Sequence, residues 1–226
     1  MPTQLGGSGD ASSEAAAAVS LGVRLQVRGD DEGAHKAFVE ALESGHPDHA
    51  PEAATHLGAL LRARGDLAGA QAAYQGAVDS GHRDHAPRAA VELGIVLDEQ
   101  DHGAQAHVAF DFAASSHHPD HAPKAALQLG RLLERSGELA AAQQAYQLAI
   151  DSGHPYQAPP AAIQLGQLMQ REGDSEGARL AYQRAIDSGH PDHGPAAEVL
   201  LAQLLGDSNQ SGAGQGAESP TEAVPT

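Results

Sequence analysis

Apolar side chains recur along this chain at helical spacing, and the spacing itself recurs. Between Pro51 and Gly65, Leu57, Leu60 and Leu61 fall at i, i+3 and i+4, which makes one apolar stripe. Between Asp66 and Gly81, Ala70, Tyr74, Ala77 and Val78 fall on one face of a second helix. Gly65 marks a helix stop, Asp66 is placed to cap the second helix, and Gly81 ends it. Pro87 then stands near the start of the next unit. No segment alternates apolar and polar residues with β-branched enrichment, so the pattern predicts helices and no sheet.

The unit repeats every 36 residues. Ser-Gly-His stands at 44–46, 80–82, 152–154 and 188–190, with Ser116-His117-His118 as a degenerate copy. Leu-Gly stands at 21–22, 57–58, 93–94, 129–130 and 165–166, and Leu201-Ala202 is an altered sixth copy. A period of this size means stacked supersecondary units, each unable to bury its own apolar face alone. Gly58 and Ala70 let two helix backbones approach, and Tyr74 fills the gap beside them.

These residues resemble the tetratricopeptide repeat family, whose pattern sets Leu-Gly in helix A before a small residue, an aromatic and an alanine in helix B. The aromatic series is Phe38, Tyr74, Phe110, Tyr146 and Tyr182. The small residues before it are Ala34, Ala70, Ala106, Ala142 and Ala178, and the alanines after it are Ala41, Ala77, Ala113, Ala149 and Ala185. Two departures lean toward the related Sel1-like repeats. The unit is longer than the usual one, and the early helix-A aromatic is replaced by Ala54, Ala90, Ala126 and Ala162. The expectation is an all-α fold, an α-solenoid of about five helix-turn-helix repeats followed by a C-terminal capping helix over 196–205. Residues 1–13 and 207–226, which lack the periodicity, are expected to be disordered segments flanking a repeat domain over 14–206.

The resemblance implies a protein- or peptide-binding scaffold whose concave groove is lined by helix A. Carried over by position, that groove comprises Gln26, Thr55, Arg62, Asp98, Arg131, Glu134, Arg135, Gln167, Gln170 and Arg171. The arginines there suit bidentate binding of peptide carboxylates, and Gln167 and Gln170 suit peptide backbone. The plain alternative is a solvated helix face carrying charge pairs one turn apart. The asparagine–lysine carboxylate clamp of some family members is not matched.

Charge narrows the partners. Thirty acidic residues against thirteen basic ones give a formal net charge of −17, which repels nucleic acid and anionic membrane surfaces. The chain has no cysteine, which rules out thiolate chemistry and disulfides. The N-terminal segment has neither the basic residues nor the apolar run of a secretory signal, so a cytoplasmic location is expected. No phosphate loop, His-Glu-x-x-His or nucleophile elbow is present, and no cofactor is implied, so the chain is not expected to be an enzyme.

Fourteen histidines are many for 226 residues. Nine of them, His46, His49, His82, His85, His118, His121, His154, His190 and His193, recur at equivalent loop positions. One reading is a metal-binding or pH-responsive protein, since imidazoles flanking an aspartate suit zinc. The other is a structural turn in which Asp48 caps or complements the next helix. Units about 10 Å apart cannot share ligands, and Tyr156 and Gln157 remove the motif from the fourth repeat. An accessory role beside a biosynthetic enzyme is a further alternative. The last helix carries Val199, Leu200, Leu201, Leu204 and Leu205, which leaves an apolar face for the tail or for a homodimer.

Overall fold

In the computed structural model the described residues are 7–213, with side chains described for 11–206. Eleven helices and no strand occur among them. They are α1 (Gly7–Val27), α2 (Asp31–Glu43), α3 (His49–Ala63), α4 (Leu67–Asp79), α5 (His85–Glu99), α6 (Gly103–Ser115), α7 (His121–Ser136), α8 (Leu139–Asp151), α9 (Ala158–Arg171), α10 (Ser175–Asp187) and α11 (His193–Ala213). The all-α expectation and the pairing of helices within each period therefore hold. Helix α1 extends upstream of the expected start at Glu14, because Ala11 through Ala18 are rich in strong helix formers. Helix α11 likewise runs past the expected end of the capping helix at 205, to Ala213, so 207–213 is helical where a disordered segment was expected; residues 1–6 and 214–226 of the expected terminal segments lie outside the described residues. Helices α3, α5 and α7 carry a proline at their third position, as His49 precedes Pro51 in α3. A proline is tolerated in the first turn, where its missing N–H has no intrahelical partner.

The chain forms two compact units, 1–145 and 146–226. In the first, α1 packs on α2, α3 on α4 and α5 on α6, and each hairpin stacks on the next. Helices of type A also touch along the stack, α1 with α3, α3 with α5 and α5 with α7. In the second unit, α9 packs on α10 and α11 packs on both.

One contact recurs from hairpin to hairpin. The ring of Phe38 lies against Gly22, Tyr74 against Gly58, Phe110 against Gly94, and Tyr182 against Gly166. A Cβ on Gly58 would stand 2.6 Å from the Tyr74 ring, and one on Gly94 2.5 Å from Phe110. The four rings are buried, as are the alanines one helical turn to either side, such as Ala70 and Ala77. Alanine there brings two backbones close enough for a single ring to fill the space between them.

The turns inside the hairpins follow from two residues. Gly29, Gly65, Gly137 and Gly173 take left-handed φ, and Asp30, Asp66 and Asp174 cap the following helix by accepting the N–H of a glycine three residues on, at 2.8–2.9 Å. The third hairpin departs from this. Asp101 holds the left-handed position at φ 59°, and His102 holds the cap position with no side-chain cap bond. The pair is a turn substitution. His117 likewise takes φ 57° where other loops have Gly45, Gly81, Gly153 and Gly189.

The ring-against-glycine contact has a sign that can be measured. Gly94→Ala should destabilise the protein by about 1–3 kcal/mol through overpacking against Phe110. Gly76 lies in α4 with nothing within 4 Å of the place a Cβ would take, so Gly76→Ala should stabilise by about 1 kcal/mol through helix propensity. Urea unfolding followed by circular dichroism reads both, and equal effects from the two substitutions would contradict the packing argument.

Candidate functional site

The helix-A face of the first unit carries a cleft of about 460 Å³ lined by Thr55, Ala59, Arg62, Ala63, Tyr74, Arg88 and Glu92. Thr55 is buried, and its hydroxyl donates to the Pro51 carbonyl at 2.8 Å, so it shapes the wall and keeps no free donor. Burial pushes the Tyr74 phenol up to about 12, with Glu92 adding to the effect, so it is a neutral hydroxyl at any ordinary pH.

Two of the four expected groove arginines, Arg62 and Arg135, are occupied by carboxylates of the same protein. Arg62 of α3 makes a two-point contact with Glu99 of α5 and stands 3.5 Å from Glu92. Its guanidinium is held charged by the Glu99 hydrogen bond first of all. Asp98 is taken by Arg135 of α7, whose Nη2 lies 2.5 and 2.6 Å from the two carboxylate oxygens. Lys124 of α7 reaches Glu92 at 2.8 Å. Arg131 donates to Gln128 at 3.5 Å, Glu134 is half-buried on the same helix, and Gln26 is half-buried on α1. The sequence does contain the signal for this pairing. Arg62 and Glu99, like Asp98 and Arg135, are opposite charges 37 residues apart, one repeat plus one position.

Arg88 differs. It lines the cleft, half-exposed, and its guanidinium forms no hydrogen bond or ion pair with any described residue. Positional transfer missed it because it lies in the first turn of helix A, before the stretch from which the groove residues were drawn.

In the second unit, Gln170 accepts the Tyr182 hydroxyl at 2.9 Å. Arg171 donates through Nε to the Gln167 carbonyl at 3.3 Å. The amide expected to meet peptide backbone at position 170 is therefore engaged by the protein's own tyrosine.

The histidine loops have a definite architecture. Ser80 Oγ donates to the Ala77 carbonyl at 2.6 Å and accepts the His82 N–H at 3.1 Å. Nδ1 of His82 then accepts the N–H groups of Asp84 and His85 at 3.1 and 3.2 Å. His118 and His190 do the same at 3.2–3.3 Å. This corrects the expectation that the loop aspartate caps the helix. Asp48, Asp84 and Asp120 make no side-chain cap bond, and the imidazole satisfies the helix N-terminus in their place.

The aspartates are used between repeats. Asp48 lies 3.4 Å from Nε2 of His82, and Asp84 lies 3.8 Å from Nε2 of His118. Neighbouring loops therefore touch, because a histidine and an aspartate together span the gap between repeats. Nδ1 accepts backbone protons, so Nε2 carries the imidazole hydrogen and faces a carboxylate. Tyr156 stands where the fourth loop lacks this aspartate, with its ring edge-on to His190 at 6.0 Å. Among the described residues, no three histidine, aspartate or glutamate side chains are arranged to hold a metal ion.

In four loops the second histidine packs on the first, with ring centroids 4.4–4.8 Å apart. Burial, and then the neighbouring His118, push His121 down to about 4, and burial lowers His85 and His56.

Known proteins share this architecture. A family model described as the tetratricopeptide repeat matches residues 123–152. No curated protein sequence matches the chain. PilF of Pseudomonas aeruginosa superimposes with a TM-score of 0.68 at 19% identity, covering 90% of this chain and 90% of that one. MamA from Desulfovibrio magneticus RS-1 gives 0.59 at 20% identity, covering 79% of this chain and 97% of its own. A tetratricopeptide repeat protein from Parabacteroides merdae gives 0.61 at 17% identity, covering 89% and 77%. At these identities the likeness is one of fold. The matching model is the tetratricopeptide one.

A pH dependence follows from the buried imidazoles. The folded value of His121 lies below the unfolded one near 6.5, so its contribution is fully present above about pH 6.5. It is lost as pH falls toward about 4. The melting temperature should drop by several degrees across that window, and His121→Gln should flatten the slope; an unchanged slope in the variant would remove His121 as the cause. Residues 123–152 match a tetratricopeptide repeat model, and the helical hairpins that repeat in register around them give the chain an all-α, α-solenoid fold like that of the tetratricopeptide-repeat structure it superimposes on.

Proposed function

We propose that this chain is a non-enzymatic adaptor of the cytoplasm that binds a protein or peptide on its helix-A face, with the cleft beside Tyr74 as the docking point in the first unit. The observation that carries the reading is the contrast between Arg88 and its neighbours. Arg62, Arg135 and Lys124 have carboxylate partners within the protein, whereas the Arg88 guanidinium lies half-exposed in the cleft without one. A half-desolvated guanidinium gains from an incoming acidic side chain or carbonyl more than a solvated one does. The cleft walls add apolar contact from Ala59 and Ala63 and the neutral Tyr74 hydroxyl. Tetratricopeptide-repeat proteins as a class serve as interaction scaffolds, which agrees with a role through binding. Among the described residues, no helix is long and apolar enough to cross a membrane.

The histidine loops are less favoured as the functional centre. Their Nδ1 atoms are engaged by backbone N–H groups, and Nε2 of His82 and His118 faces an aspartate, so the imidazoles have a structural role in the repeat.

Affinity capture from the native lysate tests the proposal. Arg88→Ala should weaken capture of the partner about 10- to 100-fold, the value of a charge-assisted hydrogen bond of about 1.5–3 kcal/mol. Arg135→Ala, which removes a surface ion pair, should leave capture nearly unchanged. Equal retention by both folded variants would move the site away from this cleft.

A further inference from the structure

Adjacent A helices of the first unit meet in a set register. Lys124 of α7 donates to Glu92 of α5 at 2.8 Å, across 32 residues of chain. The repeat is 36 residues long, so the same register one repeat earlier sets Arg88 of α5 against His56 of α3, both half-buried. The cation is kept there, and an imidazole stands where its carboxylate would be. At the other equivalents of Arg88 and Lys124 the chain has Glu52, Pro160 and Ala196, so a cation set against a histidine occurs once in this register.

The carboxylates nearest this slot are committed elsewhere. Glu92, one turn after Arg88 on α5, serves Lys124 and stands 3.5 Å from Arg62. Glu99 is held by Arg62. Glu52, one turn before His56 on α3, lies 3.4 Å from Nδ1 of His49. A carboxylate arriving from outside therefore gains a charge-assisted hydrogen bond from Arg88 without displacing an ion pair of the protein.

We propose, resting on the reading of this cleft as the docking point, that the slot is a proton-coupled carboxylate seat. An acidic side chain of the partner peptide docks on Arg88 in the place Glu92 takes beside Lys124, and His56 takes up one proton from water as it does so. In the free protein, burial lowers the protonation range of His56 first, and the Arg88 charge lowers it further. Glu52 on its own helix pulls the other way, and His85 of α5 adds to the lowering. Toward α2, His56 meets the Phe38 ring, stacked at 5.5 Å, and α1 and α4 direct no charged group at it among the described residues. A carboxylate on Arg88 offsets that positive charge and adds a negative one, so both changes favour the imidazolium. The protonation range of His56 is then higher in the complex than in the free protein. Affinity accordingly rises as pH falls through the interval between the two and is flat above it. The proton also spares a chain of formal charge −17 one further negative charge.

Nuclear magnetic resonance titration of the full chain tests this, with the capped tripeptide acetyl-Leu-Glu-Leu-amide as probe and its Gln counterpart as control. Binding of the Glu peptide should tighten about 3- to 10-fold from about pH 7.5 to about pH 5.5, and the His56 ring signals should move toward the protonated position as peptide is added. The Gln peptide should show neither effect. Arg88→Gln should abolish binding of the Glu peptide and, without any peptide, raise the pH at which His56 titrates. His56→Gln should bind the peptide as wild type does near pH 7.5 and lose the strengthening in acid. His56→Glu should pair with Arg88 as Glu92 pairs with Lys124 and shut the peptide out, with a melting temperature no lower than that of His56→Gln. Binding that needs Arg88 but keeps its pH slope in His56→Gln would overturn the proton-coupled seat and leave the cleft as a docking point. Binding indifferent to Arg88→Gln would remove both. Binding retained in His56→Glu, or no Glu-dependent shift at high peptide concentration, would also overturn the seat.

Discussion

The rest of the fold depends on the seat of one aromatic ring on one glycine. The ring of helix B lies where the glycine of helix A has no side chain, and a single methyl group there would intrude to about 2.5 Å. The ring is the largest apolar group available in a chain with 3% aromatics, so it supplies much of the burial that holds helix A to helix B. Alanines at the turns above and below let the backbones close around it. Within the first unit the outward face of each hairpin is then buried by the next, which is why the residues repeat in register.

Polar groups extend the same logic between repeats. On the helix-A face of the first unit, Arg62, Asp98, Glu99 and Arg135 reach across to the neighbouring helix A. At the loops of that unit, His82 and His118 each turn one nitrogen onto the helix N-terminus and the other toward the previous loop's aspartate. Surface pairs of this kind contribute little stability singly, about 0–1 kcal/mol each, but they fix which unit faces which. They also occupy two of the groove arginines, Arg62 and Arg135, of an acidic protein. That consumption is what makes the unengaged guanidinium of Arg88 distinctive.

The third hairpin and the last helix show where the repeat rule relaxes. Asp101 and His117 take left-handed backbone that glycine takes elsewhere, at a cost of about 1–2 kcal/mol each. The array tolerates that cost because α5 and α6 are packed against α4 on one side and α7 on the other. Helix α11 has no such second neighbour among the described residues, and Val199 and Leu205 stand exposed on it beside Glu198 and Ala202.

The period, the helical pairing, the all-α class and the buried aromatic and alanine series were all legible from the amino-acid sequence, because each depends on spacing within one unit. Capping by Asp30, Asp66 and Asp174 belongs to the same class, since a cap is a contact three residues long. What only the tertiary structure decided are the contacts made one repeat away. The family resemblance assigned Arg62 and Arg135 to a peptide groove, and packing of adjacent A helices brought Glu99 and Asp98 within their reach. Composition suggested that the histidines bind metal or sit in a plain turn, but the fold aimed Nδ1 at the backbone and, in His82 and His118, Nε2 at the preceding loop. Arg88 emerged for the same reason, because whether a cation is engaged depends on which neighbours the stack sets beside it. Local spacing determines which faces exist, and the distance between stacked units determines which side chains on those faces remain available.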